Sequence, residues 1–182
     1  EECDVEKAVS IAVHALTYRY GSCGAMDTLL VNKVLAGKIL SVIPKAFEEK
    51  EIELQRCERT LEFLNISKAV EEDWVTEYLA PILSIKIVDD LKSAIDHINK
   101  FGSAHTDSIV TENIDKAKIF MRNVDSSSVM HNVPTCWADG FEYGLGAEVG
   151  ISTNKIHPRG PVGLDQLTTY KYILEGKGQI RK

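Results

Sequence analysis

Hydrophobic and polar positions follow two different periods along this chain, and the switches between them mark its elements. Val5, Ala8, Val9, Ala12 and Leu16 recur at helical spacing behind Asp4, an acceptor suited to a helix N-terminus. After a loop holding Gly21 and Gly24, the apolar run Thr28 to Val31 reads as a strand. Leu35, Ile39, Val42, Ile43 and Ala46 lay out a second amphipathic helix, and Ile52 to Leu54 a further short strand. The middle of the chain carries the clearest pattern. Ile82, Leu83, Ile85, Ile87 and Val88 form a strand rich in branched side chains. Asp89 or Asp90 caps a helix with Leu91, Ala94, Ile95 and Ile98 on one face, and Gly102 stands where that helix stops. Ser108 to Thr111 is the next strand. Asn113 caps a helix carrying Ile114, Ala117 and Phe120, and Ser127 to His131 is the strand after it.

Strands alternating with helices over short connections predict βαβ crossovers and a parallel sheet, hence an α/β fold. From Asn132 onward the texture changes. Most of the 12 glycines fall between Gly140 and Gly178, which predicts loops and short strands. The expected division is a thiol-bearing α/β domain over 1–131 and a glycine-rich segment over 132–182. The chain opens on a helix with no strand before it, so both ends read as cuts through a larger architecture. The acidic runs Glu48-Glu49-Lys50-Glu51 and Glu71-Glu72-Asp73 read as solvated turns.

Composition narrows the function class. The 182 residues are 44% hydrophobic and 26% charged, a mix that suits a soluble globular domain. No apolar run is long enough to span a bilayer, and the acidic N-terminus is neither a signal nor a transit peptide. A formal charge of −6 argues against nucleic acid as a partner, because such binding depends on lysine and arginine neutralising phosphates. The four cysteines (Cys3, Cys23, Cys57 and Cys136) show no C-x-x-C pairing, which argues against a zinc site or a disulfide framework and suits a reducing compartment such as the cytoplasm.

Three features invite chemistry. Gly144 to Gly150 has the spacing G-x-G-x-x-x-G, but a dinucleotide loop must open a helix, and Ile151 to Asn154 are strand-like and then a turn. The segment therefore reads as a turn. Cys23 stands between small residues with Arg19 nearby to favour a thiolate. On these residues alone it is either an accessible nucleophile or a small core filler. His105 enters a strand from a loop, where a functional role and a structural hydrogen bond are both open. His97, within a helix, reads as a solvated side chain. His14, His131 and His157 share no ligand spacing, so no metal site follows.

Several stretches together resemble the γ-glutamyl phosphate reductases (glutamate-5-semialdehyde dehydrogenases) of the aldehyde dehydrogenase superfamily. They are Cys23 to Val31, His105 to Glu112, Val124 to Ser127 and, most specifically, Phe141 to Thr153, continuing through His157, Arg159-Gly160-Pro161 and Leu167 to Lys171. The resemblance implies the parallel-sheet catalytic domain of the aldehyde dehydrogenase fold, with the cofactor-binding domain largely absent. It implies that Cys23 attacks L-glutamyl 5-phosphate to form a thioester. NADPH would reduce that thioester to glutamate 5-semialdehyde in proline biosynthesis, and the chain would be inactive by itself. By the same resemblance Glu77 holds the nicotinamide ribose and Asn132 borders the substrate pocket. A homo-oligomer formed through Thr168 to Leu174 is also implied, with glutamate 5-kinase as a partner. An alternative role is a non-catalytic subunit-association module. The sequence departs from the family pattern at Gly24 and Asp27 (C-N-A-x-E-T), at Leu16 (N-A-K-T) and at Cys136 (the arginine of N-A-S-T-R-F), which removes two cationic anchors for an anionic substrate.

Overall fold

Strand β4 (Ile82–Val88) sits at the centre because its side chains are buried on both faces, among them Leu83, Ser84, Ile85 and Ile87. A near-continuous apolar run is what a parallel strand covered on both sides requires. The structure, a computed structural model, describes residues 2–48, 50–60 and 63–181. On one side β4 pairs in parallel with β1 (Thr28–Asn32), in register from Thr28 against Ser84 to Asn32 against Val88. On the other it pairs with β2 (Glu53–Arg56), Glu53 lying against Ile82. The two-residue β3 (Ser67–Lys68) adds to β2 in parallel, giving the order β1-β4-β2-β3.

Helix α1 (Val5–Thr17) starts where its cap dictates, the Asp4 carboxylate accepting from the Lys7 N–H at 3.0 Å. The single helix expected from Leu35 to Ala46 is two, α2 (Ala36–Leu40) and α3 (Ile43–Glu48). Pro44 has no N–H to donate to the Leu40 carbonyl, so a continuous helix fails there, whereas the first turn of α3 accepts proline. Leu16, Leu40, Ile43 and Phe47 pack on Val31, Leu83 and Ile85 to form the main core. Phe47 is completely buried, a burial that contributes about 1.5–3 kcal/mol.

Asp90 is the residue that caps α4 (Leu91–Phe101), accepting from the Ser93 N–H at 2.7 Å. Asp89 instead takes the Arg59 guanidinium on both oxygens and Lys33 on one, which holds its carboxyl at about 2. Gly102 ends α4 with φ −67°, so left-handed backbone is not the reason for glycine. A Cβ there would stand 2.6 Å from the Ile98 carbonyl oxygen.

Strand β5 (Thr106–Ile109) begins two residues earlier than the sequence suggests and pairs in parallel with β6 (Ser128–His131). Helix α5 (Ile114–Asn123) joins them, capped by Asn113 through the N–H groups of Asp115 and Lys116. Among the described residues β5 does not pair with β4, so the one parallel sheet expected is divided into two. Ile95, Phe120 and Val124 make a second, smaller core under α4 and α5.

The C-terminal part holds an antiparallel pair, β7 (Gly150–Ser152) with β8 (Gly160–Val162). The glycine-rich motif is a tight turn, with Gly144 and Gly146 in the left-handed region at φ 75° and 70°. A Cβ at Gly140 or Gly163 would lie 2.6 or 2.9 Å from the Ala147 carbonyl oxygen. Arg159 and Lys155 both pair with Asp125 and fasten this segment beside β6. Of the acidic runs, Glu71–Trp74 is a 3-10 turn whose Asp73 accepts from the Val70 N–H. Glu48, Lys50 and Glu51 are exposed, and Glu49 lies outside the described residues.

Candidate active site

A cavity of about 410 Å³ is lined by both parallel sheets, by the small-residue face of α1 (Ala8, Ala12, Ala15) and by the loop that carries Cys23. Its wall holds Cys23, Asp27, Glu77, His105 and Asp107, and no lysine or arginine.

The Cys23 loop is built from successive turns: the Ser22 N–H donates to the Arg19 carbonyl, that of Ala25 to Ser22, and that of Met26 to Ala15 of α1. The Thr135 hydroxyl closes on it from the far side, donating to the Gly24 carbonyl at 2.7 Å. Cys23 is exposed on the wall of the cavity, which removes the core-filler reading. Its thiol is pushed up by partial burial first and by Glu148 next, with Glu77 and Asp139 adding to the rise, while its own backbone N–H pulls it down. The charges with the largest effect are thus carboxylates and not the guanidinium of Arg19. At neutral pH the sulfur rests as the thiol.

Asp27 follows in the same loop. Burial, with Glu77 adding, lifts its carboxyl to about 6, against the Tyr78 N–H that donates to Oδ1 at 3.1 Å. Tyr78 in turn donates to Asp73 and shares a hydrogen bond with Ser84, both at 2.8 Å. Burial drives the Tyr78 hydroxyl up to about 12. This network positions Glu77 at the cavity. Glu77 is exposed, and among the described residues its carboxylate makes no hydrogen bond or ion pair. Its charge acts on Cys23, Asp27 and His105 together.

The structure therefore brings Cys23 and Glu77 to one cavity, and it does not bring Asn132 there. Asn132, at φ 58°, spends its amide on Thr111: Oδ1 accepts from the Thr111 N–H at 3.0 Å and Nδ2 donates to its carbonyl at 3.1 Å. His97 is a correction. It is buried, not solvated, edge-on to Trp74 and against Phe101, and burial, with Lys86 and Lys100 adding, lowers it to about 4. Its neighbours Trp74 and Lys86 come from outside its helix, which sequence spacing cannot show.

The departures from the family pattern sort by place. Leu16 is buried in the main core. Gly24 and Asp27 line the cavity, and Cys136 lies against Gly24: a Cβ at 24 would be 3.4 Å from the Cys136 Cα and from the Thr135 carbonyl oxygen. Sequence reasoning missed Asp107, whose part-buried carboxyl is raised by burial although Ser126 donates to it at 2.5 Å. It also missed Glu148, which reaches Cys23 from 125 positions along the chain. Neither carries a local signal. Among the described residues no group of three His, Cys, Asp or Glu side chains could hold a metal ion, and no helix is long and apolar enough to cross a membrane.

Over its whole length the chain is similar to the γ-glutamyl phosphate reductase of Thermotoga maritima, at 42% identity and a TM-score of 0.96. It covers 44% of that protein. Likeness to the γ-glutamyl phosphate reductase of Saccharomyces cerevisiae is 31% identity and a TM-score of 0.59, over 79% of this chain and 36% of the other. The propionaldehyde dehydrogenase from the Clostridium phytofermentans fucose utilisation bacterial microcompartment shares the fold, with a TM-score of 0.64 at 16% identity. That likeness covers 90% of this chain and 46% of the other. The chain thus spans less than half the length of these relatives. Residues 67–164, more than half of the chain, match the aldehyde dehydrogenase family model. On that match and the shared α/β architecture, this chain belongs to the aldehyde dehydrogenase family.

Proposed function

We propose that this chain is the thiol-bearing part of an enzyme that reduces L-glutamyl 5-phosphate to glutamate 5-semialdehyde, a step toward proline. The observation that carries the reading is the place of Cys23. It is an exposed thiol on the wall of a cavity of about 410 Å³, in a chain 42% identical to a γ-glutamyl phosphate reductase. The exposed Cys23 thiol loses its proton to solvent, and the thiolate attacks the acyl carbon and expels phosphate, leaving a thioester. NADPH, when bound, supplies the hydride that reduces the thioester carbon. The thiolate is then released and the aldehyde leaves. Glu77 suits the cofactor because its exposed carboxylate is uncommitted at the cavity and can accept from ribose hydroxyls. Turnover requires the part of the relatives' length that this chain does not span.

The test is NADPH consumption with glutamyl phosphate generated in the assay. We expect none from the chain alone, and turnover when it is fused to the remaining part of the Thermotoga reductase. Cys23→Ser should abolish that turnover. Robust activity of the chain alone would remove the requirement for the rest, and an active Cys23→Ser fusion would remove the nucleophile. A homo-oligomer is a second proposal, because Tyr172, Ile173 and Leu174 are 81%, 75% and 87% exposed in a segment with no strand partner among the described residues. Sedimentation of the protein with Ile173→Lys, expected to be smaller than wild type, tests it.

A further inference from the structure

His105 is held like a structural residue and leaves one atom unused. Its carbonyl accepts from the Ser127 hydroxyl at 2.6 Å and from the Ser128 N–H at 3.0 Å. The residue is only 8% exposed, and Nδ1 shares a 2.8 Å hydrogen bond with the Thr106 hydroxyl. Nε2 is buried and meets no partner among the described residues. A buried nitrogen of this kind destabilises a fold unless something pairs with it. Thr106 makes no other hydrogen bond through its hydroxyl among the described residues, so it is free to donate to Nδ1, and in that tautomer the ring proton stands on Nε2.

The surroundings say what that donor would meet. His105 lines the cavity of Cys23, whose wall has three carboxyl groups and no lysine or arginine. Only His97 and His105 in that wall can carry a positive charge, and His97 is packed between Trp74 and Phe101. Burial holds the His105 ring below its ordinary pKa, Glu77 partly opposing, so the free ring is a neutral donor.

We propose that Nε2–H of His105 holds an oxyanion in this cavity, the phosphoryl or the carboxylate end of the molecule that Cys23 attacks. This rests on the reading of the cavity as the site for L-glutamyl 5-phosphate. The experiment needs no turnover. Protein with 15N-labelled histidine is titrated with inorganic phosphate in one arm and L-glutamate in the other, with affinities from calorimetry. One probe shifts the Nε2 resonance of His105, identified by its loss in His105→Gln. A response to phosphate assigns the phosphoryl end, and a response to glutamate the carboxylate end. His105→Asn weakens the responding probe about tenfold or more, while His105→Gln, whose amide nitrogen can stand near the place of Nε2, keeps most of the affinity. If neither probe moves the resonance, or if His105→Asn binds both as wild type does, the proposal is overturned. The resonance is read on unmutated protein, so a variant that fails to fold leaves the result decisive. Cys23→Ser retains the response, so a failed nucleophile assignment shows only in turnover and is distinct from failure here.

Discussion

Replacing Asp27 by asparagine should stabilise the protein above neutrality and do much less in acid. Burial lifts the Asp27 carboxyl from 3.8 to about 6. A raised carboxyl means that the folded chain binds more protons than the unfolded one between about pH 4 and 6. Stability therefore falls as pH rises through that window, and the full penalty is present above it. This is the reverse of the usual salt-bridged aspartate. The lift from 3.8 to about 6 corresponds to ~3 kcal/mol. Asp27 is only part-buried, and solvent screening reduces the penalty to roughly 1–2 kcal/mol. Asparagine stays neutral, and its amide oxygen can still accept from the Tyr78 N–H that now meets Oδ1 at 3.1 Å. In a chain of this size the gain is about 3–6 °C in Tm at pH 8. Thermal melts of wild type and Asp27→Asn at pH 4.5 and pH 8 measure it, and the difference between the two proteins cancels every other titrating group. An equal Tm difference at both pH values, or a less stable variant at pH 8, would refute a carboxyl raised by burial.

Glu148→Gln should lower the Cys23 thiol, because Glu148 is the strongest of the charges that raise it. Iodoacetamide at pH 7.5 should then label Cys23 about two- to fivefold faster, as read by peptide mass spectrometry. His97→Phe should raise Tm more at pH 5 than at pH 7.5. The depressed His97, near 4, keeps its full contribution above the unfolded pKa and loses it as pH falls toward the folded value. Phe47→Ala, at a completely buried site under the main sheet, should cost about 3–5 kcal/mol in urea unfolding. Gly140→Ala should lose roughly 1–3 kcal/mol, since its Cβ would stand 2.6 Å from the Ala147 carbonyl oxygen and move the turn that carries Glu148.

What the sequence showed of this fold is what local chemistry decides. Asp4, Asp90 and Asn113 cap their helices through N–H groups two or three residues away, so the pattern and the cap are legible together. Pro44 was equally visible, but the apolar spacing around it outweighed its missing N–H in the reading of one long helix. β3 carries no signal, being two exposed polar residues that become a strand only because β2 lies beside them. The division of the sheet is likewise non-local: β5 is indistinguishable in pattern from a strand that pairs with β4. At the site, Cys23 and Glu77 were found through resemblance, and their meeting at one cavity is a tertiary fact. Asn132 followed the same resemblance, yet its amide is consumed by the Thr111 backbone at the end of β6.

The electrostatics of the cavity connect these results. A wall with three carboxyl groups and no lysine or arginine should repel an acyl phosphate. Two of the three are not ordinary carboxylates: burial holds Asp27 near 6 and raises Asp107 above its usual range. Below about pH 6 Asp27 takes its acid form, ceases to repel an anion and becomes a hydrogen-bond donor. Glu77 is exposed, so water screens its charge. Burial also leaves His105 Nε2 without a partner among the described residues and holds the ring below its ordinary pKa. In the family pattern two cations stood at positions 16 and 136. Here Leu16 is sealed in the core and Cys136 lies against Gly24, so neither site supplies charge to the cavity. If the cavity takes an anion as proposed, its binding falls to uncharged groups, and His105 Nε2 is an unpartnered atom among the described residues of its wall.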